Sequence, residues 1–443
     1  MATPFWSKST RMYTGLALSL ICAATACAQE FENPGMLQAS LLAGSVPLEG
    51  DGYVVREHAT LVGNYGRYVV ESDQGVFIAD GADMLQLRIK ELGAVRELEQ
   101  MSRGRVMVDS GGRRLSKPVE QVKRIAEQPR ETVSGLPAGV RRYVVRGAER
   151  VGEVALDVAD AARDKWNEDR SAEQVAPESE QASKRSARLL KGLALRQIGY
   201  HNVRRGLARH LGVDPYSSNP ILAEHLDQLA WAAWVGDKGV SLGLGAVISG
   251  PVDTALGIAD DAHELVWRLT PQKVSRRNKK LLASMSLRGK PARDFLRNGA
   301  FNPLLQTAFV DLLSYPGYSA VRPQLMALGT TADSEREARS LIETLHALRT
   351  LAQSAQGLPR VGMFGQTPVL DSGDGSLTIV LPADYLAWTE ETSQLAMRSD
   401  LIANRPRLLV RGLVSDRAVR EFARAGWRVE QRWSVESIIP PPT

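Results

Sequence analysis

The residues of this sequence best suited to chemistry form one short cluster, Asp260, His263 and Glu264. On a helix, residues three apart share a face, so Asp260 and His263 would project together with Glu264 beside them. An imidazole and two carboxylates can ligate a metal or transfer protons in hydrolysis. No second histidine follows at the spacing of a zinc-binding helix. An exposed acidic turn of a helix explains the same residues, so they are candidate catalytic residues only for an alternative function, and neither a metal nor a cofactor is expected.

Two glycine-containing motifs have structural explanations. Gly239–Gly243 matches the G-x-S-x-G pattern of a nucleophile elbow, but an apolar helical segment precedes it where that motif needs a buried strand. Asp371–Gly375 has acidic residues like those of a calcium loop, but it lacks the twelve-residue ligand pattern and is typical of a hairpin turn. We therefore expect neither segment to carry out chemistry.

Charge alternates in blocks along the centre of the chain. Residues 181–210 contain eight basic side chains and no acidic one, and a second basic cluster lies between residues 273 and 293. Residues 211–270, between them, carry eight acids and two bases. Basic helices packed beside acidic ones would explain this pattern, and an anionic partner is the functional interpretation. For that interpretation the expected binding residues are Arg204, Arg205, Lys279 and Lys280.

The first 28 residues have the organisation of a secretory signal peptide. Lys8 and Arg11 form a basic start, a short apolar stretch follows, and Ala26–Ala28 offers small residues before a cleavage point. The apolar stretch is shorter than the ~20 residues that span a bilayer, so no transmembrane span is expected in the mature chain. These features predict a periplasmic or secreted protein, with lipoprotein anchoring at Cys27 as the alternative.

Cleavage after Ala28 would change the composition in two ways. The 443 residues include 55 basic and 50 acidic side chains, and the loss of Lys8 and Arg11 leaves 53 against 50, a net charge of +3. Both cysteines would leave with the same segment. Disulfides, cysteine-ligated zinc and thiolate catalysis are then excluded for the mature chain.

Hydrophobic periodicity predicts an α+β, mostly α-helical protein. Short β-branched runs followed by an amphipathic helix predict a small α+β unit at residues 29–116. Amphipathic helices and a flexible linker are expected at residues 117–183, and a helical domain at 184–355. A small α/β domain at 356–443 is predicted to contain a hairpin followed by a strand–helix–strand unit.

One segment is distinctive, the run L-G-V-D-P-Y-S-S-N-P from Leu211 to Pro220. Asp214 and Asn219 each precede a proline, so both are predicted to cap the start of a helix. Together with Pro129–Pro137 and Leu381–Trp388, this motif resembles a family of uncharacterised exported bacterial proteins. The resemblance would cover most of residues 80–435. It implies architecture and compartment, but no activity and no catalytic residue.

These observations lead to an expected function and an alternative. We expect an exported, non-enzymatic, envelope-associated protein that binds an anionic lipid, an envelope polymer or a protein partner through basic helices; a secreted, host-directed protein fits the same features. Aromatic side chains are too sparse among the basic residues to favour nucleic acid. The alternative is a periplasmic hydrolase with its site near Asp260, His263 and Glu264.

Overall fold

The computed structural model describes residues 31–111, 200–235, 260–355, 359–373, 375–402 and 405–435. Over these residues the chain is α+β and mostly helical, which confirms the predicted fold class. The predicted signal peptide, the amphipathic helices and linker at residues 117–183, and the glycine motif at 239–243 lie outside the described residues.

The N-terminal unit is an antiparallel sheet covered on one face by a long helix. Its strands are β1 (Met36–Gln38), β2 (Glu49–Gly50), β3 (Tyr53–Val55), β4 (His58–Val62), β5 (Tyr65–Ser72) and β6 (Gly75–Asp80), with the short helix α1 (Ala39–Leu42) after β1. β5 lies at the centre and pairs with β3, β4 and β6. Alternate residues such as Tyr68 and Val70 point inward, where they pack with Leu85 and Leu92 of α2 (Ala82–Gly111).

The centre of the chain is helical. It comprises α3 (residues 200–210), α4 (Pro220–Val235), α5 (Asp260–Arg268), α6 (Pro271–Ser284), α7 (Lys290–Leu296), α8 (Pro303–Leu313), the 3₁₀ turn Pro316–Tyr318, α9 (Arg322–Thr331) and α10 (Glu335–Ser354). Thr270, Asn302 and Ser334 cap α6, α8 and α10 by accepting a backbone hydrogen bond from the third residue of the helix. α8 is buried on nearly every side and forms the centre of the main core.

The C-terminal region is a mixed sheet flanked by helices. Its strands are β7 (Arg360–Phe364), β8 (Thr367–Asp371), β9 (Leu377–Leu381), β11 (Arg407–Val410) and β13 (Arg428–Glu430), in the order β13-β11-β9-β8-β7, while β10 (Tyr385–Leu386) pairs with β12 (Leu413–Val414). Its helices are α11 (Glu390–Ala396), α12 (Ser399–Ile402) and α13 (Asp416–Arg424). The predicted hairpin is β8–β9, and the predicted strand–helix–strand unit is β11–α13–β13 with parallel strands.

One hydrophobic core joins the helical centre to the C-terminal sheet. Phe295 and Phe309 pack together with ring centroids 5.0 Å apart, and the same cluster continues into Leu370 and Leu409 of the sheet. The boundary predicted near residue 356 therefore separates two types of secondary structure that share a core.

Only one of the two predicted helix caps in the Leu211–Pro220 segment begins a helix. Asn219 Oδ1 accepts hydrogen bonds from the backbone N–H groups of Ile221 (3.0 Å) and Leu222 (3.4 Å), at the start of α4. The prediction for Asp214 is wrong, because its Oδ1 accepts a hydrogen bond from the N–H of Tyr216 (2.8 Å) in a turn that does not continue as a helix.

Candidate functional site

The first predicted pair of binding residues, on α3, lies largely inside the protein. Arg204 Nε is 2.5 Å from Asp227 Oδ1, and the guanidinium also donates to the carbonyl oxygen of Pro215. Arg205 is only 4% exposed and donates to the carbonyl oxygen of Trp267 and to Asn202 Oδ1. In this fold Arg204 holds α3 against its neighbours, and Arg205 cannot take part in a surface contact.

The second predicted pair, Lys279 and Lys280 on α6, is exposed to solvent. Lys280 lines an open groove of about 630 Å³ on the outer face of α6. The other residues of the groove are Lys273, Arg276, Arg277, Leu281 and Ser284. Four cationic side chains therefore line one shallow surface, together with a hydroxyl and one aliphatic side chain.

The outer face of α6 is basic because the opposite face packs against α8. Val274, Asn278 and Leu282 recur every four residues and are buried, so they define the inner stripe of the helix. Asn278 Nδ2 donates to Thr307 Oγ1 of α8 across 3.2 Å, which satisfies the one polar group on that stripe. Every lysine of α6 falls outside this stripe, and helix geometry therefore directs the lysines to solvent.

Few carboxylates of the described residues form ion pairs with this surface. Arg277 pairs with Asp311 at 2.5 Å, and burial, opposed by Arg277, raises the pKa of that carboxyl. Residues 271–300 contain a single acid, Asp294, which lies 4.0 Å from Lys290 Nζ on α7. Within the described residues, no carboxylate lies within ion-pair distance of Lys273, Lys279 or Lys280. Among the described residues, this face thus has an excess of positive charge. We call the groove lined by Lys273, Arg276, Arg277, Lys280, Leu281 and Ser284 the α6 basic groove.

The three candidate catalytic residues separate in the structure. His263 lines a small cleft, and its ring stacks obliquely on Trp267 with centroids 5.6 Å apart. Glu264 instead pairs with Arg209 at 3.2 Å and lies 3.8 Å from Arg268. Asp260 is the first residue of α5, and its side chain lies outside the described set. Of the three predicted residues, His263 is the only one whose described side chain lines a cleft.

The cleft beside His263 brings together residues that are distant in sequence. It has a volume of about 30 Å³, room for one or two water molecules, and Asp83, Lys90, Asp214 and Arg339 are among the residues that line it. Burial raises the pKa of Asp214 to about 6, although the backbone N–H of Tyr216 opposes this effect. Asp214 Oδ2 also accepts a hydrogen bond from Asn302 (2.8 Å), so this carboxyl holds the 211–219 turn to α8.

A buried ionic network, which sequence analysis did not reveal, joins all three regions. Arg411 Nη2 lies 2.7 Å from Asp384 Oδ1, and Nη1 lies 3.0 Å from Glu343 Oε2 on α10. Asp384 Oδ2 accepts from the backbone N–H groups of Gly66 and Ala82, each at 3.0 Å. Burial raises the pKa of Asp384 to about 6 and that of Glu343 to about 7, with Arg411 opposing both shifts. These contacts connect the N-terminal sheet, α10 and the C-terminal region.

Neither a metal-binding cluster nor a membrane-spanning helix is present among the described residues. No group of three or more His, Cys, Asp or Glu side chains is placed there to hold a metal ion. None of the described helices combines the length and the apolarity needed to cross a membrane.

Comparisons of this chain with protein-family models, with curated proteins and with solved structures find no match.

Proposed function

We propose that the protein is exported and binds an anionic surface of the cell envelope, a lipid head-group layer or an envelope polymer, through the α6 basic groove. The observation that carries the proposal is the groove itself, where Lys273 and Lys280 face solvent beside Arg276 and no carboxylate pairs with either lysine in the described residues. The organisation of residues 1–28 supports export.

The shape and charge of the groove suit an extended anionic surface. The groove is shallow and wide open, so it cannot enclose a small molecule, and pockets that bind small molecules bury most of their ligand. Clusters of Lys and Arg near an anionic membrane gain about 1 kcal/mol per basic residue, and this attraction is screened by salt. Lysines on long flexible stems can each find a phosphate or carboxylate without a fixed geometry.

Vesicle co-sedimentation tests this function. Protein lacking residues 1–28 should sediment with vesicles that contain phosphatidylglycerol at low salt and should be released as salt is raised. It should not sediment with vesicles of phosphatidylcholine alone. Lys273→Glu/Lys280→Glu should abolish sedimentation, because the double variant replaces two cations of the groove, which have no ion-pair partner among the described residues, with anions. An arm with isolated cell-wall polymer distinguishes that surface from lipid.

A matched control distinguishes the effect of charge in the α6 basic groove from the effect of the protein's net charge. Arg417→Glu/Arg420→Glu changes the net charge by the same amount on α13, where neither arginine has an ion-pair partner among the described residues. This variant should sediment like the unaltered protein. Equal losses of sedimentation in both double variants, or no binding to any anionic surface at low salt, would contradict the proposal.

A hydrolase is the second candidate, and one observation favours it. The cleft beside His263 also receives Asp83 and Asp214, so an imidazole and two carboxylates line one concavity. Glu264 no longer belongs to this candidate site, since it pairs with Arg209. In a panel of hydrolytic assays on esters, phosphoesters and glycosides, His263→Ala and Asp214→Asn should both remove any activity found. Activity that survives both substitutions would exclude this cleft as the site.

A further inference from the structure

The N-terminal sheet is held to the C-terminal region mainly by hydrogen bonds. Asp384 Oδ2 accepts from the N–H groups of Gly66 and Ala82, each at 3.0 Å. The carbonyl oxygen of Asn64 accepts from the N–H groups of Asp384 (2.9 Å) and Tyr385 (3.2 Å). Among the described residues of the core between this sheet and α2, Tyr385 is the only one from the C-terminal region, and it is only partly buried there. This contact is therefore polar.

The neighbouring helix α10 is attached to the same region by apolar packing. Leu345 of α10 lies in one hydrophobic core with Leu409 of the C-terminal sheet. The N-terminal sheet meets α10 by polar contacts instead, since the hydroxyl of Tyr65 lies 2.7 Å from Ser340 Oγ and the guanidinium of Arg336 lies 4.4 Å from the centre of the Tyr65 ring. Hence α10 and the C-terminal region form one block, and the N-terminal sheet rests on it through groups that water can solvate.

A second attachment of the N-terminal unit is apolar and lies further along α2. Val95 of α2 is buried with Leu207 of α3 and Leu226 of α4. At about 1.5 Å per residue, this core is roughly 20 Å along the helix from Ala82, where the polar contact lies. The polar contact can therefore open while the apolar attachment stays intact.

The polar contact contains an uneven set of charges, the Arg411 network. Arg411 Nη2 lies 2.7 Å from Asp384 and 3.7 Å from Asp83, and its Nη1 lies 3.0 Å from Glu343. Asp83 belongs to α2, whereas the other three residues belong to the block. With Asp384 and Glu343 neutral, the block presents one positive charge to Asp83, and with both ionised it presents one negative charge. Attraction across the contact thus becomes repulsion.

Burial makes two of these carboxyls titrate near neutral pH. It raises the pKa of Asp384 to about 6 and that of Glu343 to about 7; Arg411 opposes both shifts, and Asp83, across the contact, adds to both. The closed contact therefore disfavours the ionised form of either carboxyl. The other titratable groups that face the network are two phenols of β5, whose pKa burial raises: Tyr65 and Tyr68.

We propose that the Arg411 network is a pH-dependent clasp, which holds the β4–β5 turn and the start of α2 on the C-terminal region in mild acid and releases them in mild alkali. A carboxyl whose pKa is raised by a contact stabilises that contact below its ordinary pKa and loses the effect as pH rises through the raised value. The release is a local opening, in which α2 keeps its packing on α3 and α4. It is independent of the α6 basic groove.

Hydrogen exchange resolved to single residues tests the clasp, on the chain after residue 28 at pH 6 and pH 8, with the intrinsic effect of pH on exchange subtracted. The N–H groups of Gly66, Ala82 and Tyr385 bridge the contact. The fraction of molecules in which they are open should rise about ten- to twentyfold, because one pKa unit is a tenfold change in an equilibrium. The N–H of Gly81 donates to the carbonyl oxygen of Gly66 within the N-terminal sheet (2.8 Å), so its exchange should change little.

Two variants on α10 show whether Glu343 controls the opening. Glu343→Gln removes the charge and keeps the shape of the side chain, so it should remove most of the pH effect. Glu335→Gln is the matched control, because Glu335 Oε1 lies 2.8 Å from Arg339. Burial of Glu335 is outweighed by Arg339 and its other partners, so its pKa is lowered, it is ionised at both pH values, and the variant should keep the effect.

Should Glu343→Gln fail to fold, Asp83→Asn removes the charge on the opposite side of the contact and should reduce the pH effect in the same way. Exchange at Gly66, Ala82 and Tyr385 that does not depend on pH would overturn the proposal. So would a rise that Gly81 and the N–H groups of α8 share equally, because it would show unfolding of the whole protein. A pH effect that survives Glu343→Gln would also overturn it.

Discussion

Helices α3 and α6 are both rich in basic residues, but they differ in which side of the helix carries the charge. On α3, Arg205 shares the inner side with Leu207 and Ala208, all of them at most 4% exposed. On α6, the inner side is Val274, Asn278 and Leu282, and the lysines lie outside it. The basic residues thus lie partly in the interior on α3, where Arg209 is the exposed arginine, and at the surface on α6.

The difference shows that a basic segment indicates a binding surface only when its charges lie off the apolar stripe. An inward cation must find a counter-charge or hydrogen-bond acceptors within the fold, and its loss then affects stability. An outward cation is solvated, and its loss affects only what the protein binds. This division predicts the largest loss of stability for the inward cation with the most carboxylate partners, Arg411.

Arg411→Leu should cause the largest change in stability. It would leave Asp384 and Glu343 buried without their cation, and removal of one partner of a buried ion pair typically costs about 3–5 kcal/mol. Chemical denaturation should therefore show a free energy of unfolding lower by that amount, or no folded protein. Lys280→Ala is the outward comparison and should change stability by less than about 0.5 kcal/mol. Similar values for the two variants would contradict the division.

The same network should make stability fall as pH rises. The folded-state pKa values of Asp384 and Glu343 are raised to about 6 and about 7, above their ordinary values, so the folded protein binds protons that the unfolded chain has released. Their contribution is fully present below about pH 4 and is lost as pH rises through 6 and 7. We expect a loss of about 3–4 kcal/mol from these groups between pH 5 and pH 8, since each pKa unit corresponds to about 1.4 kcal/mol.

Asp384→Asn isolates this effect, because the amide keeps the shape of the carboxyl and does not titrate. Free energies of unfolding at pH 5 and pH 8 should differ less in this variant than in the unaltered protein. An unchanged or larger difference would show that other groups control the pH dependence.

The fold class was predictable because it depends on local periodicity. The alternation of residues 53–80 gave the N-terminal strands, and the turn chemistry of Asp371–Gly375 gave the β8–β9 hairpin. The Arg411 network was not predictable, since its members Asp83, Glu343, Asp384 and Arg411 are more than 300 residues apart at the extremes and show no local pattern. For the predicted binding residues, the pattern of charge identified both basic helices, but only burial distinguished Arg205 from Lys280.

Arg204→Ala should produce a smaller loss than Arg411→Leu. Its partner Asp227 is half exposed, so water can solvate the freed carboxylate and the cost should be about 1 kcal/mol. Lys279→Ala, the exposed counterpart on α6, should leave the midpoint of denaturation unchanged. A midpoint that shifts equally in both variants would show that Lys279 contributes to the stability of the fold as much as Arg204 does.

A local fluorescent probe can detect whether α6 touches an anionic surface, as we propose. The chain after residue 28 contains no cysteine, so single cysteines can carry an environment-sensitive fluorophore. Ser284→Cys places the label in the α6 basic groove, and Ser319→Cys places it on an exposed turn outside the groove. With phosphatidylglycerol vesicles, the emission of the label at position 284 should shift and that at 319 should not. Equal shifts at both positions, a shift at 319 alone, or no shift at either position would rule out contact through α6.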